Sequence, residues 1–251
     1  MTAGVGTVWL VGAGPGAPDL ITLRAARLLE QADVVLYDAL VHPDTVALAR
    51  SARKIAVGKR AGRISTDQRF IDRALVEAAR HHARVVRLKG GDPMLFGRAQ
   101  EEIDALEAAG IEYHVVPGVT AALAAAAQLR TPLTQRGLSR SVTFATARNG
   151  RGTESDEAWA QAIAGSDTGI LYMGVEHAAE LAQALVAAGK PASTPVAVVE
   201  RASLPDARTL HSSLAGLIRG DLGTIGTPAV LCVGEVFAER SEAALAAAAS
   251  L

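Results

Sequence analysis

The residues best suited to chemistry fall in five short loops of the first half of the sequence. They are Gly12-Ala13-Gly14-Pro15-Gly16, Asp38, Gly58-Lys59-Arg60, Gly90-Gly91-Asp92-Pro93 and Pro117-Gly118-Val119-Thr120. A carboxylate such as Asp38 can accept a proton and an ammonium such as Lys59 can donate one. Glycines let a backbone approach a ligand closely. Each residue also has a plainer reading. Asp38 suits a loop-capping carboxylate, and Lys59 a solvated charge. Glu101 and Glu102, beside Arg98, open a helix, where acids complement the helix dipole. Met173 in Leu171-Tyr172-Met173-Gly174 is by default core packing.

The five loops share a context: each follows a short apolar run. Strands are expected at residues 7–11, 33–37, 54–57, 85–88 and 112–116. Helices are expected at 20–32, 43–50, from Ser65-Thr66 to 82, and 99–109, the last stopped by Gly110. Such alternation implies a parallel sheet covered on both faces. Ligands of such sheets sit beyond the carboxyl ends of the strands, so five glycine-bearing or polar strand ends suggest one crevice. An Ala-rich helix follows at 119–129, and a second α/β domain is expected over 119–251, after a first over 1–118. Its strands are read at 142–145, 169–173, 195–199, 208–211 and 229–233, with helices at 156–164, 176–188, 212–219 and in the tail, 241–251.

Composition excludes several classes. The chain has 251 residues, net charge −1, nine aromatic residues and one cysteine, Cys232. Little positive field and few stacking platforms argue against nucleic acid as a partner. A lone cysteine excludes a disulfide framework and multi-thiolate metal sites. No apolar run approaches the ~20 residues that span a bilayer, so no membrane partner is expected. The first residues lack the basic start and apolar core of a signal peptide, which reads as a cytoplasmic location. Arg outnumbers Lys by 21 to 4, and Ala occurs 51 times. Codon bias explains both counts, whereas Arg forks for a polyanionic ligand explain only the first.

The loop at 12–16 superficially suggests a dinucleotide site, with Asp33 or Asp38 as the ribose acid. Its third glycine falls at 16 instead of 17, however, and Pro15 lacks the N–H a pyrophosphate would use. His81-His82 end a helix and His42, His114, His177 and His211 are scattered, so no metal site is expected.

Taken together, the loops resemble a known family. Residues 11–23, Tyr37-Asp38-Ala39-Leu40-Val41, Val57-Gly58-Lys59-Arg60-Ala61-Gly62 and Val85-Val86-Arg87-Leu88-Lys89-Gly90-Gly91-Asp92-Pro93 resemble the motifs of the tetrapyrrole methylases. Phe96-Gly97-Arg98, Pro117-Gly118-Val119-Thr120, Pro132-Leu133-Thr134, Tyr172-Met173-Gly174 and residues 195–200 extend the likeness over about 7–240. The resemblance implies two α/β domains, the first sheet largely parallel and the second mixed, with the active-site cleft between them. It implies a homodimer that transfers methyl groups from S-adenosylmethionine, releasing S-adenosylhomocysteine, to two pyrrole carbons of uroporphyrinogen III and so forms precorrin-2 for sirohaem or cobalamin. It covers only the methylase part of relatives that carry a fused dehydrogenase-chelatase segment.

By the same resemblance, Pro15, Gly90, Gly91, Asp92, Leu95, Thr120, Ala121, Met173 and Ala202 hold the methyl donor. Asp38 and Lys59 match the proton-acceptor and proton-donor positions, with Arg98 the third candidate for catalysis. A polycarboxylate substrate calls for bidentate arginines, for which Arg98, Arg60, Arg63 and Arg136 are candidates, and Glu101 would orient Arg98 or a pyrrole N–H. Four departures from the motifs bear on the substrate side: Gln135-Arg136-Gly137, Ala147-Arg148-Asn149, Gln100 and Met94-Leu95. They leave two alternatives open: a methylase of a later corrin intermediate, and a weakly catalytic tetrapyrrole-binding protein.

Overall fold

The computed structural model describes residues 5–58, 68–147 and 158–238, and the chain divides into two compact units, Met1–Ala121 and Ala122–Leu251. Strand β1, Thr7–Gly12, is rich in β-branched and aromatic residues that suit a buried pleated surface. It joins Val34–Tyr37 (β2), Arg53–Ala56 (β3), Arg84–Lys89 (β4) and Tyr113–Val116 (β5) in the order β3-β2-β4-β1-β5. Every pair is parallel, so all five carboxyl ends share one edge.

Parallel neighbours need crossovers, supplied by Leu23–Gln31 (α1), Pro43–Ala47 (α2), Gln68–His81 (α3) and Ala99–Ala108 (α4). Connections after β1 and β2 run toward one side of the sheet, and those after β3 and β4 toward the other. Right-handed crossovers therefore place α1 and α2 on one face and α3 and α4 on the opposite face. The core agrees. Leu29 and Val46 pack with Val11, Val35 and Val86, while Ile71, Leu75, Ile103 and Leu106 pack with Val8, Leu10, Leu36 and Val85.

Local chemistry sets the helix ends. Helix α1 starts at Leu23 instead of residue 20, because Pro18–Leu20 forms a 3-10 turn and the Thr22 hydroxyl accepts from Ala25 N at 3.2 Å. Gly110, at φ +65°, stops α4 as expected, and Ile111 N donates back to Leu106 O at 3.0 Å.

In the second unit, Val142–Thr146 (β6), Thr168–Tyr172 (β7), Pro195–Glu200 (β8), Arg208–Ser213 (β9) and Ala229–Val233 (β10) form a sheet ordered β6-β7-β10-β8-β9. Only β6 and β7 pair in parallel; β10 runs antiparallel to both β7 and β8, and β8 to β9. Ala121–Gln128, which we number α5, lies at the junction of the units. Ala158–Ala164 (α6), Ala178–Ala187 (α7) and Leu214–Arg219 (α8) pack through Ile163, Leu181, Leu185, Leu214 and Leu217 on the face carrying Leu171, Val196, Val198, Leu231 and Val233. The helix expected from Ser212 starts at Leu214. Ser212 and Ser213 still pair with β8, and the Ser213 hydroxyl caps α8 by accepting from Gly216 N at 3.1 Å. The expected tail helix at 241–251, and Ser65-Thr66 at the start of α3, lie outside the described residues. Among the described residues, no helix is long and apolar enough to cross a membrane.

Candidate functional site

Strands β1 and β4 are neighbours whose connections leave in opposite directions, which opens a crevice at their carboxyl ends. Three of the five expected loops meet there. Gly14 N donates to Gly91 O at 3.2 Å, Gly91 N to Gly14 O at 2.7 Å, and Ala13 N to Lys89 O at 2.7 Å. A Cβ on Gly12 would lie 2.6 Å from Gly118 Cα and 2.7 Å from Gly91 O, so only glycine permits this approach. Asp92 ties the loops together, its Oδ2 accepting from Gly118 N at 2.9 Å and its Oδ1 from Met94 N at 2.8 Å. Gly90 differs: a Cβ there would meet only Leu40 Cβ, at 3.7 Å, so the protein's own packing does not demand glycine.

Pro15 and Leu95 are half-buried in these loops, and Thr120 and Ala121 follow Gly118 at the same sheet edge. After Asp92 the backbone turns left-handed at Phe96, φ 52°, and again at Arg98, φ 55°. Such conformations are strained for side-chain-bearing residues and cluster at functional loops. Arg98 clasps Glu101 with two parallel bonds, Nε to Oε1 at 2.8 Å and Nη2 to Oε2 at 2.7 Å. The two side chains thus form an ion pair about half open to solvent.

Behind the edge lies a group of charges that the sequence reading missed. Arg87 and Lys89, two positions apart on β4, both point to the α3/α4 face and are 2% exposed. Arg87 Nη2 donates to Asp38 Oδ1 at 2.5 Å, its Nε to Glu102 Oε1 at 2.8 Å and its Nη1 to Leu88 O at 3.2 Å. Lys89 Nζ donates to Glu102 Oε2 at 2.9 Å. Burial, reinforced by the Arg87 cation, holds the Lys89 ammonium below the usual lysine range. Burial opposes the Arg87 charge, but the Asp38 and Glu102 carboxylates outweigh it and raise its pKa further. Glu102 is therefore not a solvent-facing partner of the helix dipole: it is fully buried between two cations. The signal was available, since two cations on one face of an apolar strand require buried anions nearby.

The second unit repeats the concentration of unusual backbone at one edge. Strands β7 and β8 run in the same direction, both antiparallel to β10, so the loops after them emerge together. Met173 ends β7 at φ 55°, while Arg201 and Ser203 after β8 lie at 49° and 74°. Met173 is not core packing, for it is 47% exposed. Ala202 is buried between the two left-handed residues. The Tyr172 hydroxyl accepts from Ala122 N at 3.0 Å. Arg136 sits exposed in a tight turn closed by Gln135 N to Ser139 O at 2.9 Å and Ser139 N to Gln135 O at 2.8 Å, with Gly137 at φ +80°.

Other expected residues fall elsewhere. Lys59, Arg60, Arg63, Arg148 and Asn149 lie outside the described residues. Asp33 stands at the amino end of β2, where it accepts from Arg84 N at 2.8 Å, opposite the edge a ribose acid would need. The loop at 12–16 does not open a helix, which removes the remaining geometric basis for a dinucleotide site. The His42 ring accepts from Asp44 N at 3.2 Å, and His81 pairs with Glu77 at 2.7 Å. Among the described residues, no three His, Cys, Asp or Glu side chains are grouped to hold a metal ion.

Residues 7–218 match the model of the tetrapyrrole (corrin/porphyrin) methylases. Over 235 residues the chain is 47% identical to the uroporphyrinogen-III C-methyltransferase of Pseudomonas aeruginosa, covering 92% of this chain and 94% of that one. It is 46% identical over 242 residues to the siroheme synthase of Azotobacter vinelandii, covering 96% of this chain but only about half, 52%, of that protein. The solved uroporphyrin-III C-methyl transferase from Thermus thermophilus complexed with S-adenyl homocysteine superposes with a TM-score of 0.82 at 42% identity, covering 92% of this chain and 98% of that one. With a parallel first sheet, a mixed second sheet and a family match spanning most of its length, the chain belongs to the tetrapyrrole methylases.

Proposed function

We propose that this chain transfers methyl groups from S-adenosylmethionine to two pyrrole carbons of uroporphyrinogen III, giving precorrin-2. The observation that carries this reading is the 47% identity, near full length on both sides, to a relative bearing the name of that activity. The Thermus thermophilus relative was solved with the demethylated product of the same donor, S-adenyl homocysteine. The donor fits the residues present. Gly90 leaves open space that a Cβ would enter, and Asp92 spends both carboxylate oxygens on shaping the loops beside it.

When bound, the donor supplies a methyl group already activated on a sulfonium, which leaves as a neutral thioether. The protein's task is then alignment. Gly90, Gly91 and Asp92, with Pro15, Leu95, Thr120 and Ala121, present backbone to the donor in the first unit, and Met173 and Ala202 are the candidates on the second. Asp38 accepts the proton that the macrocycle gives up after methylation, and Lys59 is the donor candidate. Arg98, Arg60, Arg63 and Arg136 meet substrate carboxylates. Arg98 can exchange Glu101 for one of them at little cost, because a pair so exposed contributes little on its own. Homodimeric assembly and a cytoplasmic location belong to the same proposal, the first checked by light scattering.

The test is incubation of the purified protein with uroporphyrinogen III and methyl-labelled donor, the product being read by mass. Two added methyl groups are expected. Protein that binds S-adenosylhomocysteine yet leaves uroporphyrinogen III unmethylated overturns the reading, and a panel of later corrin intermediates then identifies the substrate.

A further inference from the structure

Arg87 occupies a position that strand formation does not explain. It sits in the middle of the first sheet, in register with Leu10 of β1 and Leu36 of β2, both fully buried. A guanidinium there is costly unless it is paired and hydrogen-bonded on several sides, whereas an aliphatic residue would fill the site without that cost. What Arg87 has that an aliphatic residue lacks is reach. Its three nitrogens contact Asp38, Glu102 and the Leu88 carbonyl, so the plane of the fork is fixed from behind. Glu102 is itself held by Lys89 through its other oxygen.

The four charges balance, and only one of them reaches the sheet edge. The Asp38 side chain is 30% exposed, against 3% or less for the other three. Among the described residues, Asp38 Oδ2 accepts no hydrogen bond, so one carboxylate oxygen is held and the other is left without a donor. A set built only to fill the interior would have no reason to end on a carboxylate open to solvent.

We propose that Arg87, oriented by Glu102 and Lys89, is a positioning residue that holds Asp38 by Oδ1 and leaves Oδ2 to take the proton released after methyl transfer, a role that rests on Asp38 being the proton acceptor proposed above. As the Oδ2–H bond forms, the macrocycle's bond to the departing hydrogen breaks. The electron pair of that bond stays in the ring and cancels the positive charge that methylation left. No electron is exchanged, and the proton passes on to solvent from the exposed face of Asp38. Among the described residues, the charged groups that act on Asp38 are Arg87 and Lys89 from β4, with Glu102 of α4 bonded to both. Asp72 of α3 lies behind them, bonded to Gln68 at 2.9 Å and electrostatically coupled to Glu102. On α2, His42 is paired with Asp44 instead.

The experiment compares Asp38→Asn, the double variant Arg87→Met/Glu102→Gln, and Arg87→Lys, using uroporphyrinogen III and S-adenosylmethionine. The double variant removes one anion and one cation together, so the fold survives and S-adenosylhomocysteine binding by calorimetry is unchanged. Its kcat falls about 100-fold or more with KM little altered. The drop falls on kcat and not on KM or on the stoichiometry of S-adenosylhomocysteine binding, as expected when a proton acceptor loses its orientation. A defect in folding alone lowers kcat and the stoichiometry of S-adenosylhomocysteine binding together. Should the double variant not fold, Arg87→Lys carries the test, since it keeps the charge and loses the fork; a lowered kcat supports the proposal. Wild-type kcat in these variants, with Asp38→Asn inactive, overturns the role of Arg87 alone. Wild-type turnover in Asp38→Asn overturns Asp38 as proton acceptor, and the role of Arg87 with it.

Discussion

Strand β4 of the first sheet and strand β8 of the second both end on loops with strained backbone, yet they bury charge in different ways. Strand β4 carries Arg87 and Lys89 inward and balances them with Glu102 and Asp38, a set closed to solvent everywhere except at Asp38. Strand β8 buries one anion, Glu200, whose Oε1 accepts from Gly226 N at 2.8 Å and whose Oε2 faces the exposed Arg208 at 3.2 Å. Glu200 tethers a loop and keeps one partner in water. The difference separates two ways of shaping a strand end: the first sheet aims a side chain, and the second fixes a backbone path.

The contrast predicts unequal costs of breaking each arrangement. Glu102→Ala leaves the buried Lys89 without its anion and Arg87 with Asp38 alone, and is expected to cost about 3–5 kcal/mol in urea denaturation. Glu200→Gln keeps an acceptor for Gly226 N and loses only a partly solvated pair, for about 1 kcal/mol or less. Equal costs would break the comparison.

A smaller effect separates structural glycine from ligand-facing glycine. In Gly118→Ala the new Cβ would crowd Gly91 O and lie 2.9 Å from Gly12 Cα, so about 1–3 kcal/mol of stability is lost. Gly90→Ala has room and should melt like the parent protein. Its affinity for S-adenosylhomocysteine should nevertheless fall by about tenfold, equivalent to 1.4 kcal/mol. Unchanged affinity in calorimetry would remove Gly90 from the donor site.

Acid titration sharpens the contrast on the second unit. Asp167 accepts from Arg140 N at 2.8 Å, Ser141 N at 3.1 Å and Ser141 Oγ at 3.0 Å, and these donors, Arg140 N foremost, hold its carboxyl below the usual range. A carboxylate whose pKa is lowered by folding stabilises the fold above its unfolded pKa, and that contribution fades as pH falls through the lowered value. Asp167→Asn should therefore melt below the wild type at neutral pH, with the gap closing in acid. A constant gap would show that Asp167 acts through shape alone. The smallest effect concerns Cys232, whose thiol burial pushes up to about 12. It should resist iodoacetamide in the native protein at pH 8 and react once urea exposes it.

Much of the first sheet was legible in the sequence because apolar runs and glycine loops alternate with helical patterns. The strand ends at Gly12, Asp38, Gly58, Lys89 and Val116 could be placed on one edge from parallel pairing alone. Less legible were the elements whose limits depend on hydrogen bonds. The Ser212 and Ser213 backbone pairs with β8, and Thr22 delays α1, neither of which apolar periodicity records. Met173 read as core because a methionine after an apolar run usually is, yet a left-handed φ turns it outward. Glu102 read as a complement to the helix dipole, a reading that accounts for any glutamate in a first turn and does not register burial.

Residue types and their spacing alone determined the alternating architecture, the strand-end loops, the family likeness and the candidates at Asp38, Gly90, Gly91, Asp92 and Arg98. Each of these depends on neighbours along the chain or on motifs read in order. Only the tertiary structure decided that Arg87, Lys89 and Glu102 form one buried set ending on Asp38. A charge is tolerated in a sheet interior only when partners from β2 and α4, distant in sequence, arrive within hydrogen-bonding reach, and that condition exists only after folding.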